Sequence, residues 1–198
     1  MKIIISLYLL LYTSFAFSQN ANDVLKSLQN KFNSITNLSA DISQRVNDKT
    51  NLSGKMFFKK ENSLRIEFAN QTIVTDGKTS WNYDKKTNKV IISNYDETGS
   101  GLLSINYIVY QYPSECELSL SSKGSEQILV LNPKSKRNTF GQVMLFITKD
   151  NLIAKAVISG HGSGTIEVTF SNYKLNQILA DSKFSFTAPE GTTIVDLR

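Results

Sequence analysis

The chain is poor in residues that do chemistry. Its 198 residues include one cysteine, Cys116, and one histidine, His161. A single cysteine excludes an internal disulfide, so the core must hold by burial alone, which a chain of this length can do. Cys116 reads as a small buried apolar residue. A single histidine with no cysteine or carboxylate cluster beside it does not supply a zinc ligand set. His161 sits in Gly160-His161-Gly162-Ser163-Gly164, which reads as a hairpin tip. No Gly-x-Ser-x-Gly elbow, phosphate loop or dinucleotide fingerprint is present. Chain order alone does not exclude a Ser/His/Asp arrangement, but nothing else in the chain supports one. Asp76, Asp84 and Asp96 fall at strand ends, where turns use aspartate. The chain is expected not to be an enzyme and to need no cofactor or metal.

Only three prolines occur, and no Pro/Gly/Ser-rich linker divides the sequence. One domain is expected over 19–198. Charge is also modest: the formal net charge is +5 and is spread along the chain. Lys134, Lys136 and Arg137 form a short basic tip, too little for a nucleic-acid surface in an exported protein. Export is expected because Lys2 precedes an apolar run from Ile3 to Tyr12. Ala16-Phe17-Ser18 then places small residues for cleavage near Ser18. Residues 1–18 therefore read as a signal peptide, since the run is short for a span of about 20 residues. No cysteine near its end offers a lipid attachment point.

What the chain does have is apolar alternation. Val24, Leu25, Leu28, Phe32 and Ile35 recur at helical steps, so a helix is expected from a cap at Asn22-Asp23 to about Ser34. Strands are expected over 38–46, 52–60, 63–69, 72–75, 79–84 and 88–93. Met56/Phe58 and Leu64/Ile66/Phe68 face one way, with Lys55, Arg65 and Glu67 facing the other. A second helix is expected around Leu102, Leu103, Ile105, Ile108 and Val109, and strands resume at 116–121, 127–132, 140–148, 152–160, 164–173 and 183–187. This order predicts an α+β fold, with helices against one large curved sheet. Such a face is either an ordinary core or the wall of a site for a hydrophobic ligand, and periodicity does not separate the two.

A set of ordered segments narrows the choice. Ile42-Ser43-Gln44 is followed by Ser53-Gly54-Lys55-Met56-Phe57-Phe58-Lys59-Lys60 and by Leu64-Arg65-Ile66-Glu67-Phe68. Val74-Thr75-Asp76-Gly77-Lys78 then leads to Trp81-x-Tyr83. The end carries Phe170-Ser171-Asn172-Tyr173, Asp181, Phe184-Ser185-Phe186 and Pro189-Glu190-Gly191. In this order and spacing the chain resembles the LolA family of periplasmic outer-membrane lipoprotein carriers. The resemblance implies a strongly curved, incomplete antiparallel β-barrel with a helical lid over a hydrophobic cavity. It implies a periplasmic monomer that shuttles triacylated lipoproteins from an inner-membrane releasing complex of the ATP-binding-cassette type to the outer membrane, with or without an outer-membrane acceptor.

On that reading Met56, Phe58, Leu64, Ile66 and Phe68 line the acyl-chain cavity. Leu25, Leu28, Phe32, Leu102, Leu103, Ile105 and Ile108 belong to the lid. One departure stands out. Many members have an Arg-Pro pair after the second strand, whose arginine holds the lid, and here Lys60-Glu61 takes its place. Lys60 is the expected latch, and a weaker one, because lysine offers a flexible point charge instead of a planar fork. The other reading carried by the same residues is a lipid-binding or sensory module, or a carrier of a different amphiphile such as a glycolipid or a pigment ester.

Overall fold

The computed structural model describes residues 20–47, 49–60, 62–96, 104–123, 126–135, 140–159 and 164–198. The proposed signal peptide, His161, Glu61, Leu102 and Leu103 lie outside them. Helix α1 spans Ala21–Ser34. Its cap is Asn20, slightly earlier than the Asn22-Asp23 expected. The Asn20 Oδ1 accepts from the Asp23 N–H at 3.0 Å, and the Asp23 carboxylate accepts from the Asn20 N–H at 3.4 Å. This reciprocal pair satisfies two otherwise orphaned donors.

Among the described residues twelve strands follow: β1 (Asn37–Val46), β2 (Thr50–Lys59), β3 (Ser63–Phe68), β4 (Gln71–Asp76), β5 (Thr79–Asp84), β6 (Lys89–Asn94), β7 (Cys116–Lys123), β8 (Glu126–Pro133), β9 (Val143–Ile147), β10 (Ile153–Ser159), β11 (Thr165–Leu175) and β12 (Thr193–Asp196). Between β6 and β7 lies a helical segment over 105–115. It includes the π-turn Tyr107–Gln111 and the 3-10 turn Tyr112–Glu115. Among the described residues the non-glycine positions with left-handed backbone are all asparagines, Asn47, Asn62, Asn88, Asn151 and Asn176 in turns and Asn172 within β11 at its register shift against β1, as suits the side chain that best tolerates positive φ after glycine.

All strands join one sheet in the order β12-β6-β5-β4-β3-β2-β1-β11-β10-β9-β8-β7. Neighbours are antiparallel except β12 and β6, which run parallel. The expected barrel is corrected here. The sheet is mixed and open, neither closed nor strongly curled, and β7 and β12 stand at opposite ends with one neighbour each. The physical reason is that each face is covered by a separate element, so the sheet does not need to close on itself to bury its apolar side chains. Helix α1 and the 105–115 segment cover the inner face. The stretch 176–192 crosses the outer face, and its 3-10 turn Asp181–Phe184 packs on β3 and β4, with Phe184 buried. The strand expected over 183–187 is therefore a turn and coil, and the last strand is β12.

The main core lies between α1, the 105–115 segment and the inner face. Leu28 and Ile66 are 0 % exposed and Met56 is 2 % exposed. The space beneath α1 is thus packed side chains and not an open cavity. Burying each such side chain contributes roughly 1.5–3 kcal/mol.

Candidate functional site

Register places the sheet residues. Leu38, Phe58 and Leu64 form one cross-strand row of β1, β2 and β3, Ala40, Met56 and Ile66 the next, and Ile42, Gly54 and Phe68 a third. Because side chains alternate across a strand, these rows share the inner face. Met56, Phe58, Leu64, Ile66 and Phe68 are all there. Phe58 is half-buried and the other four are buried.

From α1, Leu28 and Phe32 point into the core and Leu25 packs against it, half-buried. From the second helical segment, Ile108 is buried and Ile105 half-buried. The two helical elements are tied to one another by polar side chains. Gln29 Nε2 donates to the Val109 carbonyl at 3.0 Å, and the Tyr110 hydroxyl donates to Asn33 Oδ1 at 2.8 Å. Burial pushes the Tyr110 phenol above its ordinary value, so it stays a donor at neutral pH. At its far end the segment is fixed to the sheet. The fully buried Tyr112 donates to the carbonyls of Phe140 at 2.9 Å and Gly141 at 2.6 Å, and its ring meets Phe140 edge-on at 5.5 Å.

Lys60 follows β2 directly. Its ammonium donates to the Asn33 carbonyl at 2.6 Å, and its own backbone N–H donates to the Thr36 carbonyl at 3.0 Å. Asn33 lies in the last turn of α1, where carbonyls lack helical partners and the helix dipole favours a cation.

Beside this contact lies a pocket of about 380 Å³, lined by Phe32, Asn33, Phe58, Lys60, Asn62, Ile105, Asn106 and Tyr110. It brings Phe32, Phe58, Lys60 and Ile105 together from separate stretches of chain. Met56, Leu64, Ile66, Phe68, Leu25, Leu28 and Ile108 do not line it. Asn33, Asn62, Asn106 and Tyr110 are lining residues that periodicity does not reveal, since a polar side chain at a helix end or turn looks like any solvated one. Phe32, Phe58 and Ile105 make the pocket apolar inside, and the amides, phenol and ammonium make its edge polar. Such an arrangement can hold an amphiphile; it has no nucleophile and base in partnership. Among the described residues no cluster of three or more His, Cys, Asp or Glu is placed to hold a metal ion.

The outer face carries charge instead. Arg65 pairs with Glu67, and its guanidinium donates to the carbonyls of Lys183 and Ser185 at 3.4 Å each. Lys183 lies 3.5 Å from Glu67 and 3.9 Å over the Phe57 ring. Lys59 pairs with Asp181. These contacts hold the crossing stretch and are separate from the pocket.

The family model for the outer membrane lipoprotein carrier protein LolA matches residues 33–187. An outer-membrane lipoprotein carrier protein from Histophilus somni (strain 129Pt) is 30% identical over 187 residues, covering 89% of each chain. One from Legionella pneumophila (strain Lens) is 27% identical over 196 residues, covering 94% of this chain and 95% of its own. A crystal structure of an uncharacterized conserved protein from Thermus thermophilus superposes with a TM-score of 0.60 at 17% identity. It covers 89% of this chain and 98% of its own, and it bears on the fold alone.

Proposed function

Because the chain belongs to the LolA family of outer membrane lipoprotein carriers, we propose that it takes up lipoprotein acyl chains between α1, the 105–115 segment and the inner face of the sheet, and carries them from the inner to the outer membrane. At the family level it is a lipoprotein carrier of the periplasm and not an enzyme. The observation that carries the finer reading is the continuous apolar face of β1, β2 and β3, roofed by an element tied to the β2 end by few polar bonds.

The physics of the task fits. Acyl chains left in water cost about 0.8 kcal/mol per methylene, so a carrier must cover them almost completely. Of the sheet residues that would do so, Met56, Leu64, Ile66 and Phe68 are already buried and Phe58 is half-buried. Cargo must therefore displace α1 and replace its contacts with acyl contacts of similar dispersive strength. Leu28 and Phe32 move with α1, Ile105 and Ile108 with the 105–115 segment, and Met56, Phe58, Leu64, Ile66 and Phe68 stay to grip the chains. Lys60 is the latch. It holds α1 through one flexible side chain where an arginine offers a planar fork of donors, so α1 releases readily.

The partners on this reading are triacylated lipoproteins and an inner-membrane releasing complex of the ATP-binding-cassette type, which supplies the energy. The site is the same whether or not an outer-membrane acceptor receives the cargo. Residues 1–18 act as the signal peptide and are removed near Ser18. The test is mass spectrometry of what co-purifies with the tagged protein from the periplasm of its own cells. Triacylated lipoproteins in near-stoichiometric yield support the reading. Free lipid or pigment ester assigns a different amphiphile, and protein that carries nothing and binds no acyl probe refutes it.

A further inference from the structure

Among the described residues the sheet has two edge strands, β7 and β12, and they are unlike. β12 is four residues long and runs parallel to its neighbour. β7 is eight residues long and pairs with β8 from Cys116↔Pro133 to Lys123↔Glu126 without a register shift. A long, regular edge strand is a template for another strand unless charge, proline or a bulge breaks it. From Leu118 to Ser122 β7 has none of these. The Lys134 N–H donates to the Glu115 carbonyl at 3.0 Å, one step beyond the Cys116↔Pro133 pair. In an antiparallel ladder bonded and non-bonded pairs alternate, and both backbone groups of a residue point the same way. Glu117, Ser119 and Ser121 therefore bond to β8, whereas Leu118, Leu120 and Ser122 aim their N–H and C=O groups at the free edge. No described residue bonds to them there. The Leu118 and Leu120 side chains lie on the inner face, in register with Leu131 and Leu129, and are only half-buried. The core thus ends unsealed at this edge.

From this we infer that β7 docks on β7 of a second copy of the chain, antiparallel about a twofold axis through Ser119. The strand is self-complementary in that register, as a symmetric interface must be. Leu118 faces Leu120 of the second copy, and each exchanges both backbone bonds with the other, so the leucines of both copies close the inner face. Ser119 faces Ser119, Glu117 faces Ser121 and Cys116 faces Ser122. No like charges stand opposite one another. Glu115 shares the register with position 123, where the sequence has lysine, so opposite formal charges fall together at both ends. A shift of one residue would set the inner face of one copy against the outer face of the other. A shift of two would leave a leucine facing Ser122 or Cys116. The pairing makes a dimer where the family resemblance implies a monomer. No residue of α1 belongs to it, and five strands separate β7 from β2, so α1 can leave Lys60 in either state. The inference therefore stands apart from the carrier reading.

The test is sedimentation equilibrium of the exported protein from micromolar to millimolar concentration, because an interface of one strand pair is small and reversible. A monomer–dimer equilibrium is expected. Ser119 is exposed on the outer face, so substitutions there leave the fold intact. Ser119→Lys and Ser119→Glu each set like charges opposite and weaken association several-fold. An equimolar mixture of the two restores it. On oxidation Ser119→Cys should form a disulfide between copies, because non-bonded antiparallel neighbours stand roughly 4.5 Å apart at Cα, within disulfide range. Ser121→Cys faces Glu117 and should stay reduced, and Cys116 is buried in both variants. A monomer at every concentration overturns the inference. Dimers that Ser119→Lys leaves unweakened overturn it too, since another surface then joins the copies. So does a disulfide in Ser121→Cys as fast as in Ser119→Cys, or a mixture of the charged variants that associates no better than each alone.

Discussion

The Lys60 ammonium donates a 2.6 Å hydrogen bond to the Asn33 carbonyl and so joins the end of β2 to the last turn of α1. One such bond, open to water, contributes about 1 kcal/mol. Replacing Lys60 with methionine should leave the fold intact. Amide hydrogen exchange in the last turn of α1 should rise several-fold, and uptake of a neutral acyl probe should quicken. Unchanged exchange there would show that the bond holds nothing.

Leu28 ties α1 to the core and is 0 % exposed. Leu28→Ala removes apolar contacts and leaves a void under the helix, so a loss of about 2–5 kcal/mol is expected. Urea unfolding measures it directly. A loss below about 1 kcal/mol would mean that α1 packs loosely on the sheet, contrary to the burial of Leu28.

Gly54 is required by close approach. A Cβ added there would stand 2.1 Å from the Glu67 carbonyl oxygen of the neighbouring strand. Backbone cannot yield as a flexible side chain does, so Gly54→Ala should force β2 and β3 apart, at a cost of about 1–3 kcal/mol or more. Thermal unfolding checks this, and a variant as stable as wild type would contradict the register of these strands.

Acid should loosen the crossing stretch before it unfolds the sheet. Burial pushes the Glu67 carboxyl up, but the hydrogen bond from Arg65 and the charges of Lys183 and Arg65 outweigh it, leaving Glu67 below its ordinary 4.5. A carboxyl lowered on folding adds stability that is complete above the ordinary value and is lost as pH falls through the lowered one. The hydrogen bond from Lys59 lowers Asp181 in the same way. Limited acid proteolysis within 176–192 should therefore stay slow down to about pH 4.5 and speed up below it. Cleavage that already accelerates between neutral pH and that value would point to some other group.

Much of the sheet is readable in the chain because alternation reports faces. Leu64, Ile66 and Phe68 alternate with Arg65 and Glu67, and the structure divides them between the same two faces. Alternation does not report how far a sheet bends, so the open shape is not legible, and the barrel rests on resemblance alone. Phe184 and Phe186 show why a strand is expected at 183–187. They alternate, yet Phe184 is buried on the outer face and Phe186 meets Tyr83 at 5.3 Å, so packing and not a ladder uses them. The short strand β12 offers too few residues for a pattern to show. Lys60 stands out only against the family's Arg-Pro pair. Gln29 and Asn33 bond to the 105–115 segment across about eighty residues of sequence, and no local signal marks such contacts.

The central claim is that α1 must leave the β2 end before acyl chains enter. The most direct measurement joins Asn33→Cys to Lys60→Cys with a short thiol-to-thiol reagent and assays uptake of a triacylated lipoprotein. Cys116 can stay, because it is buried. The account predicts that the joined protein takes up no lipoprotein, while each single-cysteine variant treated with the same reagent still does. Full uptake by the joined protein would contradict it, since the acyl chains would then enter without any movement of α1.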